Sequence, residues 1–282
     1  MIDTLHWSLH KDRLKQVIAA KRLGILSDFD GTLSHFVSES SQAAMTAENA
    51  QALDVLVEKV TLVALISGRS TADLRQRFER PHLVYYGNHG MDYWHDEAVQ
   101  LVEVARGWEK PLQALLAAFG ALTEPGVYIN NKGPTASVNY RATSDPVAVR
   151  QRLLDRLQPL AEHYGLLLTE GREILEIKPP ISVNKGTAVR TLITDYELDG
   201  AIFLGDDTTD LAAMSLLHEK ARDGLLQGLT VGVISEGAPL QLQEHSDLIA
   251  YDPDDVAHLL NWIADQLPAL PVPLTVPSPT LS

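Results

Sequence analysis

The chain has no cysteine among its 282 residues. Disulfides, thiolate metal sites and cysteine nucleophiles are therefore excluded, and a reducing cytosol is compatible with this composition. Positive charge is also scarce, because 37 acidic residues outnumber 23 basic ones and give a formal net charge of -14. Nucleic acids and anionic membranes bind basic surfaces, so neither is expected as a partner.

Long apolar runs are missing as well. The opening segment Met1–His6 has neither a basic start nor an apolar stretch of export-signal length, and no later segment is apolar over a membrane span. We therefore expect a soluble, cytoplasmic protein, and a monomer is favoured. With 45% hydrophobic residues and no internal repeat, the chain can bury one large core or two smaller ones, and two domains are expected.

Short apolar runs of strand length recur along the chain and alternate with helical patterns. The runs are Leu23–Ser27, Leu62–Ile66, Leu83–Tyr86, Ala201–Leu204, Leu229–Ile234 and Asp247–Tyr251. Helices are predicted at Ala47–Lys59, at Thr71–Phe78 with Ser70 as N-cap, and from Asp252-Pro253 toward Leu267. Such alternation predicts an α/β fold, namely a doubly wound and mainly parallel sheet with right-handed crossovers.

The stretch from Met91 to Lys178 has a different, α+β pattern. Short strands are predicted around Tyr93 and at Tyr128–Ile129, Ala136–Tyr140, Leu166–Thr169 and Ile174–Ile177, with helices at Trp108–Leu122 and Pro146–Tyr164. We interpret 91–178 as a cap domain inserted after the third core strand, between the core segments 1–90 and 179–267. The tail 268–282 holds several Pro and Ser residues and is predicted to be disordered.

The hexapeptide Asp28-Phe29-Asp30-Gly31-Thr32-Leu33 follows the first predicted strand. Two carboxylates at the carboxyl end of a buried strand point into the crevice where open α/β sheets bind ligands. Three further motifs occupy similar places: Ser67-Gly68-Arg69 and Gly205-Asp206-Asp207-Thr208-Thr209-Asp210 after strands, and Lys185-Gly186 at a helix start. Each alone is explained as a turn or a helix cap, but together, in this order, they favour one shared site.

The residue types of these motifs suit phosphoryl transfer. Asp28, Asp30 and Asp206 form an oxygen-rich set for a hard divalent cation such as Mg²⁺. Asp28 is the candidate nucleophile, and Asp30 the candidate acid and base for the leaving oxygen and the attacking water. Donors to the phosphoryl oxygens are expected from Thr32, Ser67 and Lys185. The sequence leaves open which aspartate of the last motif binds the metal directly. Asp206 is favoured, and Asp207 and Asp210 are expected to hold metal-bound waters or Lys185 in place.

These motifs resemble those of the haloacid dehalogenase (HAD) superfamily of aspartate-nucleophile phosphatases, and more closely those of trehalose-6-phosphate phosphatases. The similarity runs from Leu26 to Met214 and includes Gly87-Asn88-His89-Gly90, Lys132 ahead of Tyr140-Arg141, Leu175 to Pro179, and Asn184-Lys185-Gly186. It implies a HAD-like Rossmannoid core with a cap in the C2 position, Mg²⁺, and removal of the 6-phosphate of trehalose 6-phosphate in trehalose biosynthesis. Residues implied near the substrate are Gly68, Arg69, Asn88 and His89 in the core, and Lys132, Arg141 and Glu176 in the cap.

Three positions depart from the family pattern. Asn130 and Asn139 stand where the family usually has Glu and His, and Leu211 stands where Glu commonly follows the last Asp. Asparagine forms neutral hydrogen bonds to sugar hydroxyls, which are weaker than those of a carboxylate. A phosphatase for another sugar phosphate or phosphorylated glycoside is therefore the alternative function.

Three other interpretations are less well supported. An EF-hand calcium loop needs further ligands and a closing Glu, which the residues after Asp30 do not supply. A mutase similar to β-phosphoglucomutase carries its cap before the position of Ser67, whereas the insertion here follows Ser67. The intact aspartate and lysine motifs argue against an inert regulatory domain.

Overall fold

A computed structural model describes residues 4–37, 42–120, 124–171, 173–235 and 237–269. The chain forms two compact units, the first made of Met1–Gln100 and Val183–Ser282 and the second of Leu101–Ser182. Of the tail predicted to be disordered, residues 270–282 lie outside the described part. No helix in the described ranges is both long and apolar enough to cross a membrane.

Strands and helices alternate through most of the chain. The strands are β1 (Leu23–Ser27), β2 (Leu62–Ile66), β3 (Leu83–Gly87), β4 (Asp92–His95), β5 (Ala98–Leu101), β6 (Tyr128–Asn131), β7 (Ala136–Asn139), β8 (Leu167–Gly171), β9 (Ile174–Lys178), β10 (Gly200–Gly205), β11 (Gln227–Val233) and β12 (Leu248–Ala250). The α-helices are α1 (Lys11–Ile18), α2 (Ala47–Leu56), α3 (Thr71–Arg77), α4 (Glu109–Phe119), α5 (Pro146–Tyr164), α6 (Lys185–Asp195), α7 (Leu211–Arg222), α8 (Leu240–Glu244) and α9 (Pro253–Gln266).

An eight-stranded sheet in the order β12-β11-β10-β1-β2-β3-β4-β5 forms the centre of the first unit. The six strands from β12 to β3 run parallel, and β4 is antiparallel to β3. This arrangement confirms the predicted doubly wound, mainly parallel sheet. The chain order of the parallel strands reverses between β1 and β10, and ligands of such sheets bind beyond the carboxyl ends of the strands at that point.

The first unit is built on strands that are buried on both faces. Every residue of β1 and β2 is buried, as expected for parallel strands covered by helices on either side. Predicted helix starts are confirmed at two caps, where the Ser70 side chain accepts from Asp73 N and the Asp252 side chain accepts from Asp255 N. Pro253 occupies the first turn of α9, where its missing N–H is not needed.

The strand around Tyr93 extends the large sheet, although the sequence pattern predicts it as part of the inserted unit. Only residues 88–91 separate β3 from β4, and so short a connection allows antiparallel pairing alone. Tyr93 pairs with Tyr86, and their rings stack with centroids 5.6 Å apart. The second unit therefore comprises Leu101–Ser182, whereas the sequence pattern predicts a cap of residues 91–178.

The second unit contains a four-stranded antiparallel sheet in the order β6-β7-β9-β8. Its core joins this sheet to α4 and α5 through buried residues such as Leu115, Leu157 and Leu175. Helix α5 has its predicted bounds, because Asp145 caps its start and Gly165, in the left-handed conformation at φ 68°, ends it. The predicted α+β pattern is confirmed. Of the predicted helix 108–122, residues 121–122 lie outside the described ranges.

Candidate active site

Asp28 follows β1 directly and is tied to the neighbouring strand β10. Its backbone N–H donates to the Leu204 carbonyl at 2.9 Å, so the end of β1 and the end of β10 are held side by side. Gly31 has a φ of 79°, and a Cβ there would lie only 2.1 Å from Asp206 Oδ2. Glycine at this position therefore permits both the turn and the close approach of the Asp206 carboxylate.

Lys185 lies between two buried carboxylates. Its Nζ is 2.9 Å from Asp28 Oδ2 and 2.7 Å from Asp210 Oδ1, and all three side chains are at most 8% exposed. Lys185 is the first residue of α6, as predicted. Asn184 is the N-cap of this helix and forms a capping box with Thr187. The ammonium group thus has a fixed position in the site.

Three carboxylates meet at the carboxyl ends of β1 and β10. One oxygen each from Asp28, Asp206 and Asp210 lies within 4.8 Å of the others. Both carboxylate oxygens of Asp210 accept hydrogen bonds from the protein. Oδ1 accepts from Lys185, and Oδ2 accepts from the backbone N–H groups of Asp206 and Asp207 at 3.0 Å. Two of the three predicted metal ligands, Asp28 and Asp206, lie in this cluster, and Asp210 is its third member.

Asp28 Oδ1 is buried and accepts no hydrogen bond from any residue that the structure describes. Thr32 Oγ1 donates to Asp206 Oδ1 at 3.3 Å, which is a long contact. Apart from the two backbone donors to Asp210, the three buried carboxylates therefore share one lysine and one weak hydroxyl donor among the described residues. Unsatisfied carboxylate oxygens in such a setting are the ligands that a hard divalent cation takes, so the residues fit a metal site.

Burial controls the electrostatics of this cluster. It raises the pKa of Asp28 to about 7, and the charge of Lys185 opposes that shift only in part. Burial, together with the charge of Asp28, raises the pKa of Asp206 well above its ordinary value. A positive charge added beside these two carboxylates would favour their ionised forms.

Asp30 lies outside this cluster and pairs with Arg69, a contact that no feature of the sequence predicts. Arg69 Nε donates to Asp30 Oδ2 at 2.6 Å and Nη2 donates to Oδ1 at 2.7 Å, so both carboxylate oxygens are occupied. The prediction that Asp30 is a third member of the metal-binding carboxylate set is therefore wrong for the cluster seen here, and the prediction that Arg69 lies near the substrate stays a prediction. Ser67 is buried, and its Oγ accepts from the Arg69 N–H at 3.2 Å.

The segment after β3 lies against the segment after β2. The His89 N–H donates to the Ser67 carbonyl at 2.8 Å, and a Cβ on Gly68 would lie 2.7 Å from His89 Cε1. Asn88 and His89 both have a positive φ, of 49° and 58°. The buried Asn88 donates to Asp92 Oδ2 at 2.8 Å, so Asn88 holds the turn that presents His89.

Sequence reasoning did not single out two of the carboxylates that support the site. Asp92 is buried and accepts from Thr71 Oγ1 at 2.7 Å as well as from Asn88, and no motif marks it. Asp73 accepts from Arg69 Nη1 at 2.7 Å. Its position four residues after Arg69 is the sequence feature that could have indicated this pair. Asp207 caps the turn after β10, accepting from the Thr208 N–H at 2.6 Å.

The second unit holds the remaining predicted residues. Lys132 Nζ lies 3.3 Å from Glu176 Oε1, and both side chains are largely buried. Arg141 forms a more exposed pair with Glu173, with Nε and Oε2 3.4 Å apart. In the sheet register Asn130 pairs with Ser137, which pairs in turn with Glu176.

Two known phosphatase sequences are similar to this chain. A trehalose-phosphate phosphatase of Mycobacterium avium is 28% identical over 278 residues, covering 89% of this chain and 64% of that protein. A probable trehalose-phosphate phosphatase E of Arabidopsis thaliana is 28% identical over 279 residues, covering 90% and 73% of the two chains. The chain thus spans less than two thirds of the length of the mycobacterial relative.

A solved structure shares the fold. The C-terminal domain of Candida albicans trehalose-6-phosphate phosphatase superposes with a TM-score of 0.73 at 22% identity, covering 90% of this chain and 96% of that one. Residues 26–236 also match the profile of a known family, described as trehalose-phosphatase. That match takes in more than half of the chain, including every core motif named above, and the protein therefore belongs to the trehalose-phosphatase family.

Proposed function

We propose that this chain is a Mg²⁺-dependent phosphatase that hydrolyses trehalose 6-phosphate to trehalose and phosphate through an aspartyl-phosphate on Asp28. The observation that carries the proposal is the buried Asp28 carboxylate, which has one oxygen on Lys185 and one without a donor, beside Asp206. Family membership supports the substrate. A cytoplasmic location and a monomeric state stay predictions from the sequence.

Asp28 and Asp206 would hold the metal, which supplies charge neutralisation for the phosphate and the carboxylates when bound. Asp210 is occupied by Lys185 and two backbone donors, which favours the supporting role predicted for it. Both Asp30 oxygens accept hydrogen bonds from Arg69, which disfavours ligation of the metal by this carboxylate. Acid and base duty is the role that we propose for Asp30.

The chemistry of the protein residues has two steps. In the first, an Asp28 oxygen forms a bond to phosphorus while the bond from phosphorus to the sugar oxygen breaks, and Asp30 gives that oxygen a proton. In the second, Asp30 takes a proton from water, which attacks phosphorus and releases phosphate from Asp28. Lys185, Ser67 and Thr32 are proposed to stabilise charge on the phosphoryl oxygens.

Residues of the second unit are proposed to bind the sugar. Lys132, Arg141 and Glu176 offer charged donors and acceptors for hydroxyl groups, and His89 is proposed to contact the substrate from the core. Asn130 is exposed on β6, and its amide is a neutral partner where the family usually has a carboxylate. This substitution keeps another sugar phosphate or phosphorylated glycoside as the alternative substrate.

A panel of phosphate esters tests the proposal. With Mg²⁺ present, we expect kcat/KM for trehalose 6-phosphate to exceed that for glucose 6-phosphate and other sugar phosphates by about 100-fold or more, because remote sugar contacts lower the barrier. Phosphate release is measured with and without a chelator. Preference for a different ester supports the alternative, and no release from any ester excludes a phosphatase.

Replacing Asp30 by Asn is expected to lower kcat for the sugar phosphate by roughly 10²–10⁴-fold, because the amide neither protonates the leaving oxygen nor deprotonates water. Binding of Mg²⁺ should persist, since Asp28 and Asp206 remain; calorimetric titration measures it. The exposed residue Asp12 provides a control, and Asp12→Asn should leave both properties unchanged. A normal rate in Asp30→Asn would remove this residue from acid and base duty.

A further inference from the structure

Two arginines and two carboxylates form a continuous network of ion pairs from α3 to the loop after β1. Arg69 donates to both oxygens of Asp30 and, through Nη1, to Asp73 Oδ2 at 2.7 Å. Asp73 in turn accepts from Arg77 Nε at 3.0 Å, and Arg77 Nη1 donates to the Ala43 carbonyl at 2.8 Å. This network connects Asp30, the proposed acid and base, to α3, a helix that carries none of the residues proposed to touch the substrate.

The guanidinium of Arg69 is well suited to orient a carboxylate. Its planar fork forms two parallel hydrogen bonds to Asp30, which fix the plane of that carboxylate as well as its position. Arg69 is only 9% exposed in its side chain, against 35% for Asp30. Its Cζ also lies 5.7 Å from the centre of the Phe29 ring, so the guanidinium is held on two sides.

Asp73 is the charged anchor of this arrangement. It lies in the first turn of α3, where its backbone N–H donates to the Ser70 cap. Burial raises the pKa of Asp73, but hydrogen bonds from Arg77 and Arg69 outweigh that effect and hold the pKa below its ordinary value. Asp73 and Arg69 therefore face each other as opposite charges at neutral pH.

We propose that Asp73 is a positioning residue for the acid and base step: it fixes the guanidinium of Arg69, and Arg69 orients the carboxylate of Asp30 toward the leaving oxygen. Asp73 itself touches neither the proposed substrate nor the carboxylate cluster. The inference rests on the proposed function, because it assigns Asp73 to a step of that reaction.

Substitution of Asp73 is tested with two leaving groups in single turnovers with excess enzyme. A sugar alkoxide needs a proton to leave, whereas p-nitrophenolate leaves without one, so only the sugar ester depends on the orientation of Asp30. For Asp73→Ala we expect release of trehalose from trehalose 6-phosphate to slow about tenfold or more, with release of p-nitrophenolate from its phosphate ester within about twofold. Asp73→Asn, which keeps one acceptor oxygen but no charge, should fall in between.

The matched control is Asp54→Ala. Asp54 accepts from Arg80 at 2.8 Å in an exposed pair of the same chemical type, so neither leaving group should be affected. Equal slowing of both leaving groups by Asp73→Ala would indicate a general structural role and overturn the proposal, as would no slowing of either. If Asp73→Ala fails to fold, release of the two leaving groups is compared in Asp73→Asn instead. A wild type that releases neither leaving group contradicts the proposed function itself, before any variant is made.

Discussion

Replacing Asp28 by Asn is expected to lower kcat for phosphate release by at least about 10⁴-fold, because an amide does not act as the nucleophile toward phosphorus. Asn has the shape of Asp, and Lys185 keeps its contact with Asp210. The protein should therefore remain folded, which circular dichroism and thermal unfolding can verify. Initial rates of phosphate release with saturating trehalose 6-phosphate give the measurement.

A chemical trap separates the nucleophile from a residue that only supports the site. Acid quenching during turnover followed by borohydride reduction converts an aspartyl-phosphate to homoserine, which peptide mass spectrometry locates. We expect the product at position 28 in the wild type and in the Asp12→Asn control, and none in Asp28→Asn. Appreciable turnover by Asp28→Asn, or a label at another residue, contradicts the assignment.

Replacing Lys185 by Met should lower the free energy of unfolding by about 3–5 kcal/mol, because two buried carboxylates lose the cation that they share. The lysine is 1% exposed and lies within 2.9 Å of both Asp28 and Asp210, so water cannot readily take its place. Urea unfolding at neutral pH, without added metal, measures the loss. Phosphate release should also disappear, since Lys185 is proposed to stabilise the phosphoryl oxygens.

Two further variants identify the cause of that loss. Lys15 is exposed on α1, and Lys15→Met should change the unfolding free energy by no more than about 0.5 kcal/mol. Adding Asp28→Asn to Lys185→Met should restore part of the stability, because one uncompensated carboxylate is removed. A loss below about 1 kcal/mol in Lys185→Met would mean that the two carboxylates do not depend on this lysine.

The parts of the fold that the sequence predicted best are those with a local signal. Strands β1 and β2 have their predicted bounds because each is a short apolar run, buried along its whole length. The closeness of Asp28 and Asp206 followed from their places after two parallel strands, and the structure brings their carboxylates together. The roles of these residues in catalysis stay predictions.

Features that depend on distant partners were not visible in the sequence. The pair of Arg69 with Asp30 joins two loops, and neither residue carries a mark of its partner. Strand β5 has only four residues and buries none of them, so its place at the sheet edge comes from pairing with β4. Helix α1 was also missed, since its eight residues bury only Leu14, Val17 and Ile18.

The pairing of β1 with β10 has a consequence for how the protein is made. Ser27 lies opposite Leu204 in the register, so the whole of the second unit is synthesised before β1 can pair with β10, although β2 is available earlier. Non-local pairing of this kind is slow, and domains tend to fold as they emerge. A nascent chain that ends before Asp206 therefore lacks the proposed cation site, and metal binding at that site would stabilise only a chain whose synthesis has passed β10.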